Sequence, residues 1–127
     1  MKRKLMLLFV NVIFFSCTNQ CIENADFKQD YFSRLDKIVE YDNLTLTGNA
    51  IPTEYWMDFY SNTQYLHFLS GHEFRYDATE PPGYSSDLYL KADIRDLEKW
   101  YNKNKCGMTK EKADSIVNLN EEYQHYK

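Results

Sequence analysis

DIRDLEKWYNKNKCGMTKEKADSIVNLNEEY, residues 93–123, is the stretch that decides the fold. Ile94, Leu97, Trp100 and Tyr101 recur at helical spacing, while Arg95, Asp96, Glu98 and Lys99 cover the opposite face. Asp93 has the chemistry of an N-cap for this helix. Residues 104–107, with Cys106, make a short connection, and Thr109 is placed to cap a second helix. Ala113, Ile116, Val117, Leu119 and Tyr123 then mark an inner face. Two helices joined so briefly are expected to pack as an antiparallel αα-hairpin.

Working outward, Phe27, Tyr31, Leu35, Ile38 and Val39 trace one face of an earlier helix, with Asp26 and Gln29 at capping-box spacing. Asp42-Asn43 is expected to break it, and residues 44–47 alternate as in a short strand ended by Gly48-Asn49. Pro52-Thr53 starts a further helical stretch, with Thr53 as its cap and Tyr55, Trp56, Phe59 and Tyr60 as a dense aromatic stripe. Asn62-Thr63 is expected to divide that stretch in two, and Gly71 suits the position that closes it. From His72 to Asp87 the pattern is irregular. Pro81-Pro82-Gly83 reads as a type II turn, and Leu88 and Leu90 alternate briefly. The hairpin resembles a unit of the helical-repeat folds, but no second copy recurs at a fixed period. The expected architecture is mainly α: a small single domain over 25–127, with the C-terminal αα-hairpin and at most a minor β element.

The first residues carry an address. Lys2, Arg3 and Lys4 precede an apolar run from Leu5 to Phe15 broken only by Asn11, too short for the roughly 20 residues of a membrane span. It ends at Phe14-Phe15-Ser16-Cys17. This segment resembles the signal peptide and lipobox of bacterial lipoproteins, although Phe14 is less usual there than Leu. The resemblance covers residues 1–17 only. It implies cleavage after residue 16, lipidation of Cys17, a tether linker over 17–24 and export to the cell envelope. Thr18 in place of the Asp that retains lipoproteins in the inner membrane favours the outer membrane. An ordinary cleaved signal and a retained anchor helix are the competing readings of the same residues.

Such cleavage leaves residues 17–127, one domain with a modest core. That part has 12 Lys+Arg against 19 Asp+Glu, a formal charge of −7. An acidic chain without a basic cluster is a poor match for nucleic acid or for direct adhesion to anionic lipid. Assigning Cys17 to lipid leaves Cys21 and Cys106, which in an oxidising compartment either pair or stay as free thiols.

Chemistry-bearing motifs are sparse. His67, His72 and Glu73 are weak candidates for a metal or acid–base site, because His-x-x-x-x-His-Glu lacks the spacing that puts two imidazoles on one helical face. Residues 83–87 do not form a nucleophile elbow, no glycine-rich phosphate loop exists, and no cofactor motif or catalytic residue is identified. The oddity is eleven tyrosines in 127 residues. Core packing accounts for many rings, but each buried hydroxyl needs a partner. Some of Tyr55, Tyr60, Tyr65, Tyr76, Tyr84 and Tyr89 are therefore expected at the surface, with Tyr76, Tyr84 and Tyr89 as a candidate binding patch. Three function classes follow, in order: a lipid-anchored module that binds a protein partner (inhibitor, immunity-type or accessory), a sugar- or peptidoglycan-binding module, and a small metal-dependent enzyme.

Overall fold

The computed structural model describes residues 21–126, so the expected signal and lipobox, with Cys17, lie outside the described residues. The described residues fold as four α-helices and a 3₁₀ turn: α1 (Ala25–Thr45), α2 (Thr53–Ser70), α3 (Asp87–Asn104), α4 (Lys110–Asn118) and the turn Glu122–Tyr126. The architecture is mainly α in one small domain, with the C-terminal helices α3 and α4 packed around a shared core.

α1 begins at Asn24, whose Oδ1 accepts the Phe27 amide at 2.8 Å, so Asn24 rather than an Asp26–Gln29 box caps it. Asp42-Asn43 does not break the helix. Tyr41 and Asp42 are buried, and the ladder continues to Thr45, so residues 44–47 form the last turn and exit rather than a strand. Burial of Tyr41 outweighs the weak helix preference of Asp and Asn. α2 is likewise one helix. Asn62 Nδ2 donates to the Asp58 carbonyl and Thr63 Oγ1 to that of Phe59, both four residues back. Polar side chains that would favour a break in isolation are thus absorbed by the helix's own backbone. Thr53 is its first residue and makes no cap; Pro52 precedes it with no side-chain hydrogen bond. Gly71 closes α2 in the left-handed conformation at φ 73°, donating its N–H to His67.

α3 starts seven residues earlier than a cap at Asp93 would set it. Ser86 is its cap, accepting from the Leu88 amide, and Leu88 and Leu90 are helical rather than extended. Thr109 caps α4 through the Lys112 amide. Only Ala113 and Val117 of the expected inner face are buried on α4; Ile116 and Leu119 are exposed, and Tyr123 reaches the core from the 3₁₀ turn.

Large rings set the spacing of the layers. Tyr31 stacks on Trp100 at 5.7 Å, Phe27 on Tyr101 at 5.6 Å, and Phe32 meets Tyr101 edge-on at 4.8 Å. These pairs join the start of α1 to the end of α3, so the two helices run antiparallel. The same ends are fastened covalently. Cys21 and Cys106 form a disulfide, Cα–Cα 5.0 Å, closing 85 residues. A loop of that length contributes up to roughly 4 kcal/mol by restricting the unfolded chain. Glu23 joins both Lys105 and Lys28 beside it. Residues 21–24, the end of the expected tether linker, are thus held to the domain through Cys21 and Glu23.

Across residues 71–86 the chain is draped over α1 and α2. Tyr76 and Tyr84 pack against Phe59, and Tyr41 Oη donates to the Pro82 carbonyl at 2.9 Å. Asp77 and Gly83 exchange both backbone hydrogen bonds, an isolated bridge that is the sole β pairing among the described residues. The Glu80–Pro81 bond is cis, and Gly83 is not among the glycines with positive φ, so Pro82-Gly83 forms no type II turn. The bridge requires an extended Gly83, which is incompatible with that turn.

Candidate functional site

Two of the candidate residues, His72 and Tyr84, converge on Asp93, a carboxylate for which local pattern suggests only a capping role. Asp93 lies inside α3 with no accessible surface. Its Oδ1 accepts from His72 Nε2 at 3.0 Å and from the Arg75 guanidinium. Its Oδ2 accepts from the Arg75 backbone N–H at 2.9 Å and from Tyr84 Oη at 3.0 Å. Burial by itself would push this carboxyl up, but the hydrogen bonds from His72, Arg75 and Tyr84 outweigh it and hold the group below the usual value. Arg75 also reaches Asp96 at 3.1 Å. Every donor comes from residues 72–84. Asp93 thus pins the irregular segment to α3, and no lone pair of it faces an open site.

This arrangement disposes of the histidines differently from a ligand pair. His72 turns inward to Asp93, whereas His67 Nδ1 lies 2.8 Å from the His72 carbonyl, with which it can only act as donor. Glu73 is exposed and sits 3.8 Å from His67. Among the described residues no group of three or more His, Cys, Asp or Glu side chains is arranged to hold a metal ion.

The tyrosines divide the same way. Tyr76 and Tyr84 are half-buried in the aromatic layer around Phe59 and do not present an outer face with Tyr89, which is 47% exposed on α3. Tyr31 donates to the Leu97 carbonyl at 2.9 Å, and Tyr65 to Asp114 at 2.8 Å beneath the Arg34 guanidinium. Burial, followed by the neighbouring Tyr60, pushes the Tyr41 hydroxyl up to about 12. Four of the tyrosines therefore have a structural use for their hydroxyls: those of Tyr31, Tyr41, Tyr65 and Tyr84 stitch helices to one another and to the 71–86 segment, whereas the buried Tyr101 hydroxyl has no partner among the described residues. Tyr55, Tyr89 and Tyr126 are the exposed ones among the described residues.

What remains open on the surface is a groove between the second half of α1 and the first half of α3. Where Tyr31, Phe32, Trp100 and Tyr101 fill the interhelical space at one end, Val39, Leu90 and Ile94 are too small to do so at the other. The groove has a volume of about 300 Å³, the low end for ligand sites and closer to one or two side chains than to a cofactor. Leu46, 76% exposed at the C-terminus of α1, forms its rim. Asp42, 6% exposed, lines its floor. No residue of this groove had been singled out as a binding candidate. The exposed leucine at a helix end was the available sequence signal.

No family model, curated protein or solved structure matches this chain. Among the described residues no helix is long and apolar enough to cross a membrane.

Proposed function

We propose that this protein is an exported, lipid-tethered component of the bacterial envelope that binds a protein partner and has no catalytic role of its own. The tether rests on the resemblance of residues 1–17 to a lipoprotein signal, with the outer membrane as the favoured location. The binding half is carried by the groove between α1 and α3, rimmed by Leu46. Exposed leucines beside a partly filled groove are the surface chemistry from which protein interfaces draw their energy. Tethering adds to this by confining the domain near an envelope target and raising its effective concentration. The disulfide and the Glu23–Lys105 pair hold the root of the tether against the domain, so the groove keeps a restricted orientation to the membrane.

Sugar binding is the second reading, favoured by Tyr55, whose half-exposed ring lines a shallow recess with Thr47 and Asn49. Stacking of a sugar on one ring beside polar groups is the relevant chemistry. The metal-dependent reading draws no support from His67 and His72, whose ring nitrogens are directed to different partners. Mass spectrometry of the mature N-terminus tests the tether: a diacylglyceryl mass on Cys17 is expected, and an unmodified cysteine refutes it. For binding, the wild-type protein and Leu46→Glu are compared by cross-linking in envelope extracts. A specific cross-link lost in the variant is expected, and identical patterns would count against the groove as the interface. Quenching of Trp fluorescence by envelope glycans, removed by Tyr55→Ala, would instead favour the sugar reading.

A further inference from the structure

Asp42 is the anomaly in the groove. Among the described residues no hydrogen bond or ion pair reaches its carboxylate; the bonds it makes run to its backbone carbonyl, from Leu46 N–H and Thr45 Oγ1. It stands in the last turn of α1, a turn without a basic residue. There the partial negative charge of the helix end adds to its own. Burial pushes its carboxyl up, and Asp87 across the groove adds to the effect. Carboxylates removed from most of their solvent are normally paired; that of Asp42 is unpaired and its oxygens keep contact with the solvent of the groove, which a cationic group from outside would replace. The other charges of the groove do not supply one. Lys91 is bound to Asp87 at 2.5 Å, Arg95 leans toward Asp96 at 3.7 Å, and Glu98, like Asp42, has no counterion among the described residues.

We infer that the groove receives a lysine or arginine side chain of the partner protein, its cationic head on Asp42 and its aliphatic stem along Val39, Leu46, Leu90 and Ile94. This deepens the protein-binding reading and rests on it. The chemistry is selective. A neutral donor would satisfy the hydrogen bond but leave the charge uncompensated, and an anion would add a third negative group to Asp42 and Glu98. The apolar walls suit the stem of a long cationic side chain, which buries its methylenes while its head stays hydrogen-bonded. The small groove volume fits one such chain rather than a folded ligand.

The test uses the exported, disulfide-bonded protein at neutral pH, titrated with n-butylammonium and n-butylguanidinium, against n-butanol and butanoate of the same chain length. Backbone NMR shifts at Val39, Asp42, Leu46 and Ile94 report occupancy. The cations are expected to saturate these shifts with about tenfold higher affinity than the alcohol, because charge-assisted hydrogen bonds are roughly twice as strong as neutral ones. Asp42→Asn should erase the preference and leave the alcohol's weak binding in place. Equal binding of cation and alcohol, binding of butanoate, absence of shifts with any probe, or a preference that survives Asp42→Asn would each overturn the inference. The wild-type comparison of cation with alcohol decides the matter even without the variant. A partner cross-link lost in Leu46→Glu but retained in full by Asp42→Asn would leave the protein-binding reading standing and remove this one.

Discussion

Asp93 and Asp42 are two buried aspartates on facing helices, the first sealed and the second at a groove, and they are treated in opposite ways. Asp93 receives four hydrogen bonds from one loop and is held as a stable anion. Asp42 receives none, and stands at the helix end least favourable to its charge. Desolvation acts on both. The difference lies in what the tertiary fold delivers: residues 72–84 converge on Asp93, while α3 brings to the groove opposite Asp42 the apolar Leu90 and Ile94 and no group that hydrogen-bonds its carboxylate among the described residues. A carboxylate supplied with internal donors is a structural fastener. One denied them carries a standing cost, which a bound cation would remove.

The comparison can be broken most forcefully at Asp93. Replacing it with Ala strands His72, Arg75 and Tyr84 and should cost about 3 kcal/mol, the lower range for opening a buried ion pair, because Arg75 can regain water. Urea denaturation measures the loss, and amide exchange should accelerate selectively across residues 72–84. The same interaction sets a pH dependence. The folded Asp93 carboxyl lies below its ordinary value of 3.8, so its contribution is fully present above that pH and disappears as pH falls through the folded value. Wild type should thus lose its stability advantage over Asp93→Ala below about pH 4 in melts across pH 2–7.

Tyr84→Phe removes one of the four donors and keeps the ring against Phe59. Loss of a hydrogen bond to a charged acceptor predicts about 1.5 kcal/mol of destabilisation in the same denaturation assay. Asp42→Asn should act in the opposite direction. Its folded carboxyl lies above the ordinary value, so the ionised form costs stability at neutral pH and that cost fades as pH falls toward 3.8. The variant should gain roughly 0.3–1 kcal/mol at pH 7, the usual size of an unfavourable charge at a helix end, and nothing below about pH 4. Destabilisation at pH 7 would mean that Asp42 has an internal role resembling that of Asp93. The smallest effect sharpens the contrast: Leu46→Arg supplies Asp42 with an i,i+4 partner and should add about 0.2–0.5 kcal/mol. Salt-dependent melts would check it, and butylammonium binding should fall because the groove then holds its own cation.

Much of the helical framework was legible from local pattern. Ile94, Leu97, Trp100 and Tyr101 mark α3, Thr109 and Gly71 mark two of the helix ends, and the aromatic stripe at 55–60 marks α2. The misreadings share one cause. Asp42-Asn43 and Asn62-Thr63 have poor helix propensity, yet buried neighbours and side-chain bonds to the preceding turn carry both helices through them. Asp93 has the chemistry of a cap, yet Ser86 caps the helix, because Asp93 is needed where the 71–86 segment crosses α3. The groove was not legible, since it arises where facing side chains happen to be small.

The sequence by itself determined the helical class, the acid excess and the presence of three cysteines. These follow from composition and from spacing along one chain. Tertiary structure decided that Cys21 lies beside Cys106, that the hydroxyls of Tyr31, Tyr41, Tyr65 and Tyr84 are spent on internal carbonyls and carboxylates, and which of two buried aspartates is hydrogen-bonded. Those outcomes depend on groups up to 85 residues apart in sequence meeting in space. Whether a buried charge is paired is set by the geometry of its neighbours, which no local periodicity encodes.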